Sequence, residues 1–303
     1  VQEFGDKALE AANKEMHQLH QREAFEPVNI SELSMEEKKK ALNSIIFITE
    51  KRSGEIKART VADGSPQRAY INKEDAASPT VMVESVLLTA TIEAKEERDV
   101  FAYDVPNAFL QTKVNLHGER VFMKIKGPLV DMLVTLDPQR YRSSVVLEGN
   151  VKVLYVRVLK AIYGLLQSSI LFYKQLRKDL EGQGFVVNPY DPCVANRIVD
   201  GKQQTVAWHV DDLKGSHVDP AVNTQMIEWL ESLYGDPKLG KSKAVRGKRH
   251  DYLAMVLDYS EPGKVKIDMT EYVKKMVEEF PEPVQGVSYP WNSNLITVDT
   301  KSP

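Results

Sequence analysis

The sequence predicts an α+β chain organised on an antiparallel sheet, and three observations carry that reading. Apolar positions switch repeatedly between helical and two-residue spacing. Strand-like runs come in pairs closed by very short turns, at Ser53-Gly54, at the Asp211-Asp212 pair and at Pro262-Gly263. Connections that tight join antiparallel neighbours only. Acidic residues also close two of the core strand candidates, one at Asp104 and one at Asp211-Asp212.

Each element has a local reason. Residues 6–24, DKALEAANKEMHQLHQREA, combine good helix formers with apolar residues at helical spacing, and Pro27 stops the run. SMEEKKKALNS places Ser34 as an N-cap ahead of acids in the first turn, so a short helix follows. SIIFITEKRSGEIKARTVAD is a hairpin about Ser53-Gly54 that carries Lys51, Arg52, Lys57 and Arg59. A helix is expected after Pro79 in SPTVMVESVLLTATIEA, and DVFAYDV is a strand ending in Asp104, Val105 and Pro106. ERVFMKI and NVKVLYVRVL are further strands, the second with clear alternation. SSILFYKQLRKDLEGQGF is an amphipathic helix stopped by Gly182 and Gly184. QTVAWHVDDLKGSHV makes two strands about the aspartate pair, AVNTQMIEWLESLYG a helix, and DYLAMVLDYSEPGKVKIDM a hairpin. TEYVKKMVEEF is a last helix with Thr270 as its cap.

Composition narrows the function. The 303 residues, 42% hydrophobic and 27% charged, suffice for one large domain or a few packed subdomains. The single cysteine, Cys193, excludes an intrachain disulfide and suits a reducing compartment. No apolar run reaches the roughly 20 residues of a membrane span, so a soluble intracellular protein without a membrane partner is expected. The first residue is Val, as expected of a piece cut from a longer polypeptide. A net charge of -3 argues against binding nucleic acid by bulk electrostatics. Local distribution says more: Lys238 to Arg249, KLGKSKAVRGKR, holds six Lys/Arg and no acid. Taken alone, such a run is an ordinary solvated face.

Asp211 and Asp212 raise the chemical question. Adjacent carboxylates repel, and beside low-dielectric protein they need a cation or a proton. A plain hairpin turn is the ordinary reading. Asp104, at another strand end, allows three carboxylates to converge. That is a natural ligand set for Mg²⁺, which prefers oxygen donors and keeps positions for phosphate and water. Two such ions about 4 Å apart serve in-line phosphoryl displacement. Lys57 and Arg59 on the hairpin are the candidates for holding a triphosphate.

These residues lie in motifs that resemble the reverse transcriptases of copia-type retrotransposons. IKARTVADG is similar to the family's KARLVA segment, YDVPNAFLQT to LDVxxAFLxG, VLKAIYGLLQSS to LxKSLYGLKQAP, NPYDPCV to SxxDPCL, and HVDDL to YVDDI. YLAMVLDYSEPGKVKIDMTEYVKKM resembles the FLGIEV hairpin and the helix after it. The order and spacing of five motifs make the resemblance specific. It implies a right-hand polymerase with an antiparallel palm sheet: an N-terminal helical segment over 1–40, fingers over 41–98, palm with interleaved fingers elements over 99–255, and a primer-grip hairpin with the start of a thumb over 256–303.

The resemblance also implies roles. Asp104, Asp211 and Asp212 match the catalytic metal ligands, and Val105 the residue whose carbonyl serves the nucleotide-side metal. Two Mg²⁺ are implied, with Mn²⁺ as a substitute. Lys57 and Arg59 match residues gripping the triphosphate, Phe109 the steric gate under the sugar of a dNTP, and Gln167 a glutamine touching the nucleotide. Tyr252, Leu253, Ala254 and Met255 fall at the primer grip, and Lys241, Lys243 and Lys248 in the basic stretch are candidates for contact with an RNA or DNA template and its primer. A cytoplasmic virus-like particle, with a nuclear setting also open, is the implied location. RNase H, integrase and protease segments would belong to the rest of a polyprotein.

Departures are visible. His209 replaces the signature tyrosine and is not expected to bind metal. Ser168, Ser169 and Ile170 replace Ala-Pro-Arg, and Val105-Pro106-Asn107 replaces the usual polar run after the first aspartate. Two other functions fit parts of the pattern: a decayed or co-opted element that binds nucleic acid without catalysis, and an unrelated Mg-dependent phosphohydrolase. The intact aspartates disfavour the first, and the missing His or Glu general-base motif disfavours the second.

Overall fold

The computed structural model describes residues 5–51, 54–114, 120–235 and 242–281. Helix α1 (Gly5–Gln21) buries Ala8, Ala12, Met16 and Leu19, one face of a helix. Strand β1 (Phe25–Pro27) leads to α2 (Met35–Lys40), opened by a capping box in which Glu37 N–H donates to Ser34 Oγ and Ser34 N–H to the Glu37 carboxylate. The expected hairpin follows as β2 (Leu42–Glu50) and β3 (Ile56–Ala62). Its tip at Ser53 lies outside the described residues.

A short α3 (Lys73–Ala76) precedes α4 (Val83–Lys95). The latter starts later than Pro79 suggests, because Met82 N–H donates to Asp191 Oδ2 at 3.0 Å and residue 82 stays extended. Next come β4 (Asp99–Asp104), β5 (Phe122–Lys126), α5 (Pro128–Leu136), α6 (Pro138–Tyr141), β6 (Val145–Glu148) and β7 (Val151–Val158). The chain continues as α7 (Ser168–Gly182), β8 (Val186–Val187), β9 (Val194–Val199), β10 (Lys202–His209), β11 (Asp212–His217) and α8 (Pro220–Tyr234). It closes with β12 (Lys243–Arg246), β13 (Arg249–Tyr252), β14 (Met255–Asp258), β15 (Lys266–Asp268) and α9 (Thr270–Glu278). Thr270 is the first residue of α9 and not its cap; its N–H donates to Asp268 Oδ1 at 2.9 Å.

Three sheets result. One runs β1-β7-β5-β2-β3 with β6 beside β7, and its β2–β5 pair is parallel. The second, β12-β4-β11-β10-β9-β8, is antiparallel throughout, as expected. The third is the small sheet β13-β14-β15. Two large cores follow this division. Met16 and Leu19 of α1 pack with Leu42, Ala62, Met123, Leu154 and Val156, so α1 is built into the first sheet's core. Helices α4, α7 and α8 supply Val86, Ala90, Phe172, Leu176, Met226 and Leu230 to the core of the second, with Phe101, Tyr103, Trp208 and Leu213. Helix α4, which the boundary at residue 98 groups with the fingers, therefore packs with the sheet of Asp104.

Candidate active site

The acidic strand ends meet at one end of the antiparallel sheet, on its interior strands β4 and β11. His209 pairs with Asp212, which leaves Val210 and Asp211 as a two-residue turn. Val210 has φ 57°, the left-handed conformation that such a turn needs at its first position. A β-branched residue there is strained. Asp212 in turn pairs with Asp104, and Asp104 with Lys243 on its other side. Val105 N–H donates to the Asp211 carbonyl at 3.0 Å, so the end of β4 is tied to the turn. Val105 itself is buried.

Two cavities open beside these residues. The larger, about 450 Å³, is lined by Lys14, Glu15, Lys51, Lys57, Arg59, Tyr163, Asp104 and Asp211 among others. The smaller, about 210 Å³, is lined by Asp104, Asp212, Arg249, Asp251 and Tyr252 among others. Asp104 belongs to both. Although Asp212 keeps contact with solvent, lost hydration of its carboxyl and then the charges of Asp211 and Asp104 push its pKa up to about 6; His209 acts in the opposite direction. Among the described residues, no three His, Cys, Asp or Glu side chains are gathered tightly enough to form a ready metal centre. The donor set nevertheless suits a hard cation, since a positive ion would relieve the repulsion that raises Asp212.

The expected cations are at the larger cavity. Lys57 and Arg59 are exposed on β3. Partial burial and then the neighbouring Arg59 and Lys51 lower the Lys57 pKa, against the pull of Glu15 and Asp104. Glu15 of α1 accepts the Thr60 N–H at 2.8 Å, and burial raises its pKa.

Tyr163, which sequence reasoning missed, lines this cavity. The Arg59 guanidinium lies 4.0 Å from its ring centroid. Phe109 also packs on Tyr163, at 4.7 Å between ring centroids. Phe109 is half-buried against Tyr163 and is not among the described residues lining this cavity. Gln167 is not there either. It caps α7, four residues past Tyr163, and its Oε1 has no hydrogen-bond partner among the described residues. The cause is the docking of the preceding loop: Ala62 N–H donates to the Tyr163 carbonyl at 2.8 Å. Gly164, at φ 88°, approaches so closely that a Cβ there would lie 2.0 Å from the Ala62 oxygen. This contact faces Tyr163 toward β3, and the chain has turned into α7 by Gln167.

At the smaller cavity, Tyr252 and Met255 are opposite residues of a hairpin whose turn is Leu253-Ala254, at φ 51° and 62°. The Tyr252 hydroxyl lies 3.5 Å from the carbonyl oxygens of Ala207 and Asp212. Arg249 forms a long ion pair with Asp258, 3.5 Å, and Lys248 is exposed beside it. Lys241 lies outside the described residues, and of Lys243 only the backbone register with Asp104 is described.

Residues 33–282 match the family model described as "Reverse transcriptase (RNA-dependent DNA polymerase)". The chain belongs to the reverse transcriptase family. Curated relatives include Ty1 polyproteins, which are of the copia type. It is 21% identical over 277 residues to the Ty1-NL2 Gag-Pol polyprotein of Saccharomyces cerevisiae, covering 91% of this chain and 14% of that polyprotein. It is 22% identical over 278 residues to the truncated Ty1-A Gag-Pol polyprotein of the same yeast, covering 91% of this chain and 21% of the relative. This reverse transcriptase thus spans under a quarter of the length of either. Among solved structures it is similar to a foamy viral protease-reverse transcriptase in complex with double-stranded DNA, at 13% identity and a TM-score of 0.48, over 91% of this chain and 38% of the other. A telomerase from Candida albicans bound to a fragment of telomeric RNA is similar at 10% identity and a TM-score of 0.39, over 80% of this chain and 49% of the other. Among the described residues no helix is long and apolar enough to cross a membrane.

Proposed function

We propose that this chain carries out RNA-directed DNA synthesis for a copia-type retrotransposon, joining dNTPs to a primer 3′-hydroxyl. The supporting observation is that Asp104 borders both cavities, with Asp211 on one side and Asp212 on the other. A dNTP in the larger cavity and a primer end at the smaller would meet at these carboxylates. The 3′-oxygen forms a bond to the α-phosphorus, and the bond to pyrophosphate breaks. Lys57 and Arg59 attract and orient the triphosphate, so much of the rate comes from positioning. Asp104, Asp211, Asp212 and the Val105 carbonyl would hold Mg²⁺ or Mn²⁺, which supplies charge stabilisation for the attacking and leaving oxygens. The gate against a ribose 2′-hydroxyl is assigned to Phe109, in contact with Tyr163, on the resemblance alone. Gln167, capping α7, is not carried into this site.

On this reading the β2–β3 hairpin is the fingers, the antiparallel sheet the palm, the β13–β15 sheet the primer grip, and α9 the start of a thumb. The partners are a primed RNA or DNA template and dNTPs, in a virus-like-particle setting. Extension of oligo(dT) on poly(rA), with a chelator control, tests the activity. Asp104→Asn and Asp211→Asn should each reduce extension about a hundredfold or more, because a metal ligand is lost. Variants that remain folded and keep more than a tenth of the wild-type rate would refute the two-metal assignment. Binding without extension by the wild type would turn the reading toward a co-opted nucleic-acid-binding protein.

A further inference from the structure

A buried charge pair lies away from both cavities, in the core behind the catalytic strand. Lys214 and Glu93 are only 1% and 2% exposed, and Lys214 Nζ pairs with Glu93 Oε1. Lys214 Nζ also donates to Thr89 Oγ1 at 3.2 Å. The second carboxylate oxygen, Glu93 Oε2, accepts the Tyr259 hydroxyl at 2.5 Å. His250 completes the cluster, edge-on to Tyr259 with 6.1 Å between ring centroids. Burying an ion pair is poor strategy for stability alone, since apolar side chains of the same size serve as well or better. What this one does is join three separate parts of the molecule.

Those parts are specific. Glu93 is on α4, and Lys214 lies two residues after Asp212 on β11, on the same side of the strand. Tyr259 follows β14 directly, and its N–H donates to the Lys248 carbonyl at 2.7 Å, beyond the last pair of the β13–β14 ladder. Met255 and Leu257 pack into the core of the palm, and polar contacts hold the small sheet to it at both ends of β13–β14. Tyr252 sits against Ala207 and Asp212 near the turn, and Tyr259 is anchored on Glu93 at the other end. One attachment lets a hairpin pivot; two fix its direction.

We propose that Glu93, Lys214 and Tyr259 form a bolt that holds the β13–β15 sheet at a set angle to the strand of Asp212, making Glu93 and Tyr259 positioning residues for the primer terminus. The role of the sheet in holding a primer rests on the polymerase reading above. The mechanical part does not. Removing the hydroxyl of Tyr259 takes away a hydrogen bond to a charged group while leaving the Glu93–Lys214 pair intact.

The test is Tyr259→Phe in the full chain, followed by amide hydrogen exchange and by primer extension. Protection of the Val256–Asp258 amides should fall about tenfold or more, with that of α7 unchanged. The kcat for extension should fall several-fold, and KM for dNTP should stay within about twofold, because the larger cavity lies on the other side of Asp104. The double variant Glu93→Gln with Lys214→Met removes both charges yet keeps an acceptor for Tyr259. Because it cuts the tie from Glu93 to β11, it should lower Val256–Asp258 protection and kcat about as far as Tyr259→Phe does, and wild-type values in it would overturn the part of the charge pair in the bolt. Unchanged protection in Tyr259→Phe would overturn the bolt, as would protection lost equally across α7, which would make the cluster ordinary core. Lost protection with kcat unmoved would overturn the positioning role. If the wild type extends no primer, the polymerase reading fails, and the exchange comparison still decides the bolt.

Discussion

Replacing Tyr163 with leucine removes the ring 4.0 Å from the Arg59 guanidinium and 4.7 Å from Phe109. A cation over an aromatic face contributes about 0.5–1 kcal/mol where water reaches it and about 2 kcal/mol where it does not. Arg59 is exposed, so about 1 kcal/mol is the appropriate figure. At about 1.4 kcal/mol per factor of ten, that corresponds to roughly fivefold weaker nucleotide binding. The aromatic pair with Phe109 adds about 1 kcal/mol to stability, or about 2–4 °C in Tm. Tyr163→Leu should therefore raise KM for dNTP about fivefold and lower the melting temperature by a few degrees. Tyr163→Phe keeps the ring and should leave KM within about twofold of wild type. Single-nucleotide primer extension at varied dNTP, beside a thermal melt, reads both. A folded Leu variant with wild-type KM, or a Phe variant impaired as much as Leu, would refute the role of the ring in holding Arg59.

Metal binding should depend on pH through Asp212. Its carboxyl, pushed up to about 6, must lose its proton to bind a cation, so the gain in Tm from Mg²⁺ should be small at pH 5 and clearly larger at pH 7. Without metal the sign reverses: the folded chain takes up that proton more readily than the unfolded one, so this group's contribution falls as pH rises from 3.8 through about 6. Asp211→Asn removes one cause of the shift and should move the midpoint of the Mg²⁺ effect to lower pH, measured by melts across the range. For the basic stretch, Lys248→Gln and Arg249→Gln should each flatten the log-log salt dependence of primer-template binding by about one unit. An unchanged slope would return these residues to an ordinary solvated face.

The site was legible in the sequence where its chemistry breaks a pattern. Charges closing apolar strands at Asp104 and Asp211-Asp212 conflict with burial, and the structure brings them into register through the pairing of Asp212 with Asp104. Tyr163 was not legible because AIYGLLQ reads as core, and the resemblance drew attention to Gln167. The available signal was Gly164, needed for φ 88° and for the close approach to Ala62. The β13–β14 hairpin escaped because its turn is Leu253-Ala254, without the Gly or Asn that marks such turns. Helices α5 and α6 carry one mark in the sequence, Pro128 and Pro138 at their first positions. Lys214 was a neglected warning. A lysine inside a buried strand needs a partner, and so does Glu93, which takes a position on the buried face of α4 with Val86 and Ala90.

The departures from turn chemistry are themselves informative. Of the seven described residues other than glycine with positive φ, four, Asn107, Val210, Leu253 and Ala254, lie beside the aspartates or in the Tyr252 hairpin, and Glu23, Glu97 and Asp200 lie elsewhere. Asparagine tolerates this region; a valine, a leucine and an alanine do not do so cheaply, at about 1–2 kcal/mol each. Glycine would relieve that strain, but it would also loosen each turn, since a glycine turn loses more conformational freedom on folding. Two-residue turns leave almost no slack between paired strands. A side chain at Val210 keeps Asp211 at a set offset from Asp212, and those at Leu253 and Ala254 do the same for Tyr252 and Met255. Strain persists only where the surroundings over-determine the conformation. Here the surroundings are the ladder from β12 to β10 on one side and the Glu93 anchor on the other. The Tyr252 hydroxyl, 3.5 Å from the Asp212 carbonyl oxygen, joins the two strained hairpins at that residue, and under the proposed function this contact would align a primer end with the carboxylate.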